Sequence, residues 1–563
     1  MSQNHQALLL MQKMVKSPPS KALSLFNYTT LEGFQHTSQS ICFILYHLLS
    51  SNMFSHAQVL IVKILSGRIS SSFFTPSSLI HQLIQPRPCS NDIRVYIHET
   101  IVSAHLQCQL LEKAIFYFKQ MMDQGLMPGS NTFNNLLGSL VKSNSFEKAW
   151  CVFNEFKDTT ELDAYSFGIM IKGCCEASDL NKGFQVLVEY EKMGWPPNIV
   201  IHTTLIDGCC KNGNIEGAKK LFCKMESLGL VANQYSYTVL INGFFKKGLK
   251  KDGFELYEKM KLRGVSPNIY TYNCLINGYC TDGKISRAFD VFDEMREQGV
   301  ACNVVTYNIL VGGLCKEMRI GEAEKLMDQL YKTGISPNLV TYNMLIDGFC
   351  NAGNLDKALS LFDQLKSSGQ SPSLVTYNIL ITGFSRAQDL AGVADVVREM
   401  EERGITPSKV TYTILISAFI QSDDMDRASQ LYSSMEKAGL VPDVYTYGVL
   451  IHGLCSKGNM KEASKYFTLM SEKHLKPSDV TYNMMIYGYC KEGSSYRALR
   501  LIKEMSENGM IPNMASFCST IGVLCKDGKW NEAEGLLKEM TGSGLRPPVS
   551  IYNLIFKAKI SHQ

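Results

Sequence analysis

Eighteen cysteines are the residues of this 563-residue chain with the most obvious capacity for chemistry, and their spacing decides which chemistry is open to them. Cys175, Cys210, Cys280, Cys315, Cys350, Cys455, Cys490 and Cys525 recur at multiples of 35 residues, and no Cys-x2-Cys pair occurs. A zinc ribbon or a dithiol redox centre needs two thiolates within one turn. Cys174–Cys175 and Cys209–Cys210 are adjacent pairs that repeat the same period. A small apolar side chain at a tight packing site accounts for the series, since free cysteine packs this way. His81, His98, His202, His452 and His474 lack acidic partners at ligand spacing. The sequence therefore points to no catalytic residue, no metal site and no cofactor.

The same period organises the rest of the chain. Val304 to Asn338 reads VVTYNILVGGLCKEMRIGEAEKLMDQLYKTGISPN, and Leu339 to Ser373 follows as LVTYNMLIDGFCNAGNLDKALSLFDQLKSSGQSPS. Tyr237, Tyr272, Tyr307, Tyr342, Tyr377, Tyr412, Tyr447 and Tyr482 hold one phase, each followed by an apolar pair such as Leu310–Val311. That spacing predicts the buried stripe of a first helix. A glycine follows in most copies (Gly208, Gly243, Gly313, Gly348, Gly383), where a missing side chain lets helices cross closely. The second helix carries Ala218, Ala288, Ala323 or Ala358, and ends at Gly229, Gly264, Gly334 or Gly369, with proline soon after the last three. Glycine there suits a C-terminal cap, and proline stops the helix from running on. Each unit is thus a helical hairpin that buries its apolar face only by stacking on its neighbours. The expected organisation is a degenerate pair and connector over 38–94, thirteen tandem units over 95–548 and a final half unit over 549–563.

Composition adds bounds. Net charge is +4, which permits a polyanionic partner without demanding one. Residues 1–31 contain no acidic residue, but they do contain Lys13, Lys16, Lys21 and several serines. With an apolar run from Leu8 to Met11, residues 1–37 read as an organelle transit peptide or disordered tail. The apolar stretch Ile41 to Leu49 is too short to span a bilayer, so no membrane partner is expected.

The motif VTYN-x-L-[IV]-x-G-x-C, met at Val305 and Val340, resembles the repeats of the plant pentatricopeptide-repeat family in its P class. The tetratricopeptide alternative wants Trp in its first helix. Trp150, Trp195 and Trp530 do not stand in that pattern, although a protein-binding scaffold of that type is the competing reading. The resemblance covers residues 95–563 and implies an all-α, right-handed α-solenoid superhelix. It also implies a non-enzymatic, sequence-specific partner of single-stranded organellar RNA, reading one base per repeat. Mitochondrial intron splicing or transcript stabilisation would be the setting, with the plastid as the alternative organelle and other splicing or processing factors as further partners.

In that family two side chains per repeat read the base: the residue after the tyrosine and the residue that closes the unit. Carried over, Asn134 with Asp163 favours U; Gly168 with Asn198, Thr203 with Asn233, and Thr238 with Asn268 favour A. Asn273 with Asn303 and Asn308 with Asn338 take a pyrimidine, while Asn343 with Ser373 and Asn378 with Ser408 favour C. Thr413 with Asp443 favours G, Gly448 with Ser478 is undetermined, and Asn483 with Asn513 takes a pyrimidine. The expected core is U-A-A-A-Y-Y-C-C-G-N-Y. A closing Asp accepts the ring N–H of uracil or guanine, whereas Asn or Ser donates to the bare ring nitrogen of adenine or cytosine. Helix capping is the competing account of these Asn, Thr and Ser residues. The Glu99/Gly129 and Cys518/Pro548 units depart from the pattern. The second residue of each unit (Val200, Tyr235, Tyr270, Val305, Val340, Val375, Val410, Tyr445, Val480) would sandwich the base, with solenoid packing as the alternative. Lys142, Lys211, Lys246, Lys316, Arg386, Lys491 and Lys526, recurring on one phased site after the first helix, would neutralise phosphates, with a solvated turn as the alternative.

Overall fold

The computed structural model describes residues 12–14, 16–69, 73–85 and 91–561, and its elements are all helices. The chain divides into two units, Met1–Leu275 and Ile276–Gln563. In the first, helices Pro19–Leu31, Ser38–Ser50, Phe54–Leu65 and Pro76–Ile84 precede a longer helix, Asn91–Gln107, which pairs with Leu111–Asp123. Regular hairpins follow: Ser130–Lys142 with Phe146–Phe156, Ala164–Glu176 with Leu180–Lys192, Ile199–Lys211 with Ile215–Ser227, and Gln234–Lys246 with Lys250–Leu262. The second unit repeats the hairpin from Val304–Lys316 with Ile320–Lys332 up to Met514–Lys526 with Trp530–Gly542, and then adds the single helix Val549–Ser561. Within each unit, a first helix packs on its own second helix and on the first helix of the next hairpin. That is an α-solenoid. Among the described residues no helix is long and apolar enough to cross a membrane.

The N-terminal expectation needs correction. Residues 1–11 and 15 lie outside the described residues, but Pro19–Leu31 is a helix with Ala22 and Phe26 fully buried. Phe26 stacks on His36 with ring centroids 4.0 Å apart, so the folded core begins well before residue 38. Burial pushes the His36 imidazole down to about 4 and leaves it neutral. The connector over 73–94 likewise holds a helix, Pro76–Ile84, closed at its N-terminus by a Thr75–Ser78 capping box.

The periodic residues have distinct mechanical roles. Tyr307, Tyr377 and Tyr482 each present their rings edge-on to a phenylalanine of the preceding second helix, as in Phe362–Tyr377 at 5.6 Å. Ala218, Ala323 and Ala358 are completely buried where the helices approach. Gly334, at φ 75°, ends the helix Ile320–Lys332 in a Schellman turn. Its N–H donates to Tyr331 O at 3.0 Å, and the Ile335 N–H donates to Leu330 O at 3.2 Å.

The first-helix glycine explains the cysteine series. A Cβ added to Gly348 would lie 2.8 Å from Cys315 Sγ of the preceding repeat, and one on Gly383 would lie 2.5 Å from Cys350 Sγ. Gly208 faces Cys175, Gly243 faces Cys210 and Gly313 faces Cys280 in the same way. Where the cysteine is replaced by Ile420, that side chain fills the space against Gly453. The thiol is a wedge that seats one repeat on the next. Burial pushes the Cys315 thiol up to about 11 and the Cys350 thiol up to about 12, so both stay neutral and unreactive. His98 and His202 are also core residues, with Nδ1 bonded to the carbonyl one turn back.

Candidate nucleic-acid interface

The closing residue of each repeat is the N-cap of the next first helix. Asn338 Oδ1 accepts the Thr341 N–H at 3.1 Å while Thr341 Oγ1 lies 3.2 Å from the Asn338 N–H, a capping box. Asp163, Asn303, Ser373 and Ser408 form the same box, and Asn198, Asn233, Asn268, Asp443, Ser478 and Asn513 also cap through a side-chain oxygen. Capping therefore accounts by itself for the small polar set at the closing position. The residue after the tyrosine is different, because it stands inside the helix and caps nothing.

Instead, that residue reaches across to the following repeat. Asn308 Nδ2 donates to Asn338 Oδ1 at 3.2 Å and its Oδ1 accepts from Thr341 Oγ1 at 2.7 Å. Asn134 Nδ2 donates to both Asp163 oxygens at 3.2 Å. Asn483 Oδ1 accepts from Ser516 Oγ at 2.7 Å and from the Asn513 N–H at 3.2 Å. Thr203, Thr238 and Thr413 join their hydroxyls to Ser236, Thr271 and Thr446 at 2.8, 2.7 and 2.9 Å. Two side chains some 30 positions apart in sequence thus meet in these repeats, at the seam between stacked hairpins. Asn273, Asn343 and Asn378 each bury Oδ1 without a hydrogen-bond partner. Gly168 and Gly448 offer no side chain at all. In the Glu99/Gly129 unit, Glu99 Oε1 accepts the Gly129 N–H at 2.8 Å and the Thr132 hydroxyl at 3.0 Å, doing the capping that glycine cannot.

Around this seam the second residues of the first helices stand out into solvent. Tyr235, Tyr270 and Tyr445 are 57, 70 and 76% exposed, and Val200, Val305, Val340, Val375, Val410 and Val480 are also exposed. Solenoid packing does not explain apolar residues that the solenoid leaves uncovered. Tyr165, 69% exposed, belongs to the same series and was missed, although its position two residues before Phe167 marks it. Lys142, Lys211, Lys246, Lys316, Arg386, Lys491 and Lys526 are all exposed. Some of them also contact protein: Lys211 pairs with Asp207 at 2.6 Å, Arg386 with Asn351, and Lys491 with the Ser456 carbonyl at 2.8 Å. In the second unit Val305, Asn308, Lys316, Asn338 and Val340 line one cleft of about 390 Å³, which brings all three residue classes together. In the first unit Asn134, Lys142, Gly168 and Val200 line another, with Tyr165 beside them. Among the described residues no group of three or more His, Cys, Asp and Glu is arranged to hold a metal.

One neighbour of the seam was not foreseen. Lys409, the first residue of its helix, places Nζ 2.8 Å from Asp443 Oδ2. Burial alone would raise the Asp443 carboxyl, but the Lys409 ammonium and the Thr446 donors outweigh it and hold the group below the usual carboxylate range.

The double duty of the closing residue can be separated experimentally. Asn338→Ala is expected to cost about 1 kcal/mol of stability through the lost cap, and Asn338→Ser only a few tenths, in thermal melts of the two variants.

The repeat itself has counterparts among known proteins. The model of the PPR repeat family matches residues 128–176, 197–246, 235–281, 267–316, 303–351, 337–386, 372–421, 413–456, 449–491 and 477–526, and a second PPR repeat model matches 165–195 and 515–545. A pentatricopeptide repeat-containing protein of Arabidopsis thaliana is 57% identical over 203 residues, 36% of each chain. A mitochondrial pentatricopeptide repeat-containing protein of the same plant is 33% identical over 91 residues, 16% of this chain and 22% of its own. These matches span about a third or less of the relatives' length. The crystal structure of the maize pentatricopeptide repeat protein PPR10 in complex with an 18-nt psaJ RNA element aligns with 98% of this chain and 96% of its own, at 19% identity and a TM-score of 0.48. With family matches running nearly unbroken from residue 128 to 545, the chain belongs to the PPR, or pentatricopeptide, repeat family.

Proposed function

We propose that the chain binds single-stranded RNA sequence-specifically, one base per repeat. The observation that carries this reading is the cleft where Asn308 and Asn338 meet between exposed Val305 and Val340, with Lys316 at its edge. An amide pair supplies donors and acceptors to a base edge, the apolar residues cover its faces and the ammonium faces a phosphate. The reading order of the repeats gives U-A-A-A-Y-Y-C-C-G-N-Y as the preferred core, with the N-terminal repeats toward the 5′ end. The preferred RNA is expected to outcompete a scrambled strand of the same composition at matched salt, and equal affinity for the two would refute the reading.

The setting we favour is organellar RNA metabolism, in the mitochondrion before the plastid. Relatives named mitochondrial support the first choice, and one named chloroplastic supports the second. Bound RNA would be shielded from exonucleases or remodelled for intron splicing, with no chemistry needed from the protein.

Phosphate contacts make a distinct prediction. Replacing Lys142, Lys246, Lys316 and Lys526 together by alanine is expected to flatten the plot of log affinity against log salt by roughly 3, at about 0.7 per contact for single strands. Filter binding between low and physiological salt would measure it.

A further inference from the structure

We propose that Lys409 is a specificity-determining residue acting with Asp443, so that this repeat selects a base presenting a keto oxygen next to a ring N–H. The inference rests on the RNA-binding reading above and adds a third side chain at one repeat.

The two carboxylate oxygens of Asp443 are not equivalent. Oδ1 accepts three bonds, from the Tyr445 N–H at 3.1 Å, the Thr446 N–H at 3.0 Å and Thr446 Oγ1 at 3.1 Å. Capping saturates it. Oδ2 is the oxygen left for a ligand, and Lys409 Nζ sits 2.8 Å from it. Both side chains keep about two-fifths of their surface exposed, so the pair is open to solvent rather than sealed in the seam. Asp163, the other closing aspartate, caps its helix in the same way through Ser166, but the group it meets is the Asn134 amide, with Nδ2 3.2 Å from both oxygens, rather than an ammonium. No other unit from Ser130 onward begins with a cation: the equivalent residues are Ser130, Ala164, Ile199, Gln234, Ile269, Val304, Leu339, Leu374, Val444, Asp479, Met514 and Val549.

The chemistry of the pair follows from its hydrogens. An ammonium carries three donors and no acceptor, and only one of those donors faces Oδ2. A carboxylate oxygen with two lone pairs can accept from that donor and from a base N–H together. Guanine offers O6 beside N1–H, an acceptor and a donor in adjacent positions that match Nζ and Oδ2. Lysine to guanine O6 is a common pairing in nucleic-acid recognition. Adenine presents an amino group where guanine has O6, and its two N–H donors would meet the ammonium. Uracil shares the keto and N–H pattern, and Thr413, whose hydroxyl is fixed by Thr446 Oγ1 and Lys409 O at 2.9 Å each, sorts with purines in the carried-over pairing. Guanine is left.

The test compares the full chain, Lys409→Met and Asp443→Asn on two RNAs of the core sequence that differ only by G or A at the ninth position. Lys409→Met is expected to weaken the G strand about tenfold, the loss of one charged hydrogen bond, and to leave the A strand as tight or tighter, because the clash with the adenine amino group goes with the ammonium. Equal weakening of both strands would make Lys409 a phosphate contact and overturn the proposal. Unchanged or tighter G binding would show that lysine masks the aspartate, and would overturn it too. Asp443→Asn keeps the helix cap and is expected to move preference from G toward A whatever Lys409 does. If Asp443→Asn alters neither strand, base reading itself fails, and that result is distinct from a failure confined to Lys409.

Discussion

Replacing Gly348 by alanine is expected to unseat one repeat from its neighbour. The new methyl would lie 2.8 Å from Cys315 Sγ and 3.2 Å from its Cβ, closer than packed carbon and sulfur tolerate. Overpacking of this kind costs about 1–3 kcal/mol. In a free helix the same substitution would stabilise by about 0.5–1 kcal/mol, so the sign of the effect depends on the wedge. Gly522, within a first helix and with nothing inside 4 Å of its added Cβ, supplies that control, and Gly522→Ala is expected to gain stability. Cys315→Ala should relieve most of the Gly348→Ala loss, because the sulfur is the nearest atom and the remaining Cβ is 3.2 Å away. The coupling between the two sites is then about 1–2 kcal/mol in a double-mutant cycle, and additive losses would rule the wedge out. Stability in a stacked array is a sum of repeat and nearest-neighbour terms, so the damage should be local. Hydrogen exchange is expected to show lost protection centred on the Val304 and Leu339 hairpins, with distant repeats unaffected.

Much of this was legible in the sequence for a simple reason. A 35-residue period fixes which residues share an environment, so Tyr307, Gly313 and Gly334 could be assigned to core, crossing and cap from spacing alone. Spacing does not say what lies opposite. Gly348 was readable as a close approach, but its partner Cys315 belongs to the preceding layer and only stacking brings them together. The same limit applied to Asn338, where cap and contact with Asn308 coincide and the residue type serves both. Lys409 could have been noticed as a charge where most units begin with an apolar residue, but its meaning comes from Asp443, the N-cap of the next hairpin. The N-terminal helix was misread on composition. An acid-poor, serine-rich segment resembles a targeting sequence, whereas the burial of Ala22 and Phe26 depends on tertiary partners such as His36.

The largest effect on binding is expected from Tyr235 and Tyr270, the second residues of adjacent repeats. Their rings are 57 and 70% exposed, and the helices that carry them are held by buried residues of other phases, Tyr237, Ile241 and Tyr272 among them. Between these repeats lies Thr238, bonded to Thr271 at 2.7 Å, so a base presented to that hydroxyl would have one tyrosine on either side. Stacking on an aromatic side chain contributes about 1–3 kcal/mol per base. Tyr235→Ala with Tyr270→Ala is therefore expected to weaken binding of the core RNA by roughly 10- to 100-fold, while the melting temperature of the free protein stays put. Leucine at both positions separates two contributions: it keeps apolar cover but removes the π face, and should recover only part of the loss. Val305 and Val340 flank Asn308 in the same way without an aromatic ring, and their alanine variants should lose less, in proportion to the smaller surface. The ordering tyrosine above valine, with no change in stability for either, is what an exposed stacking platform requires. Equal losses at the two sites, or losses that track melting temperature, would assign these residues to the fold instead.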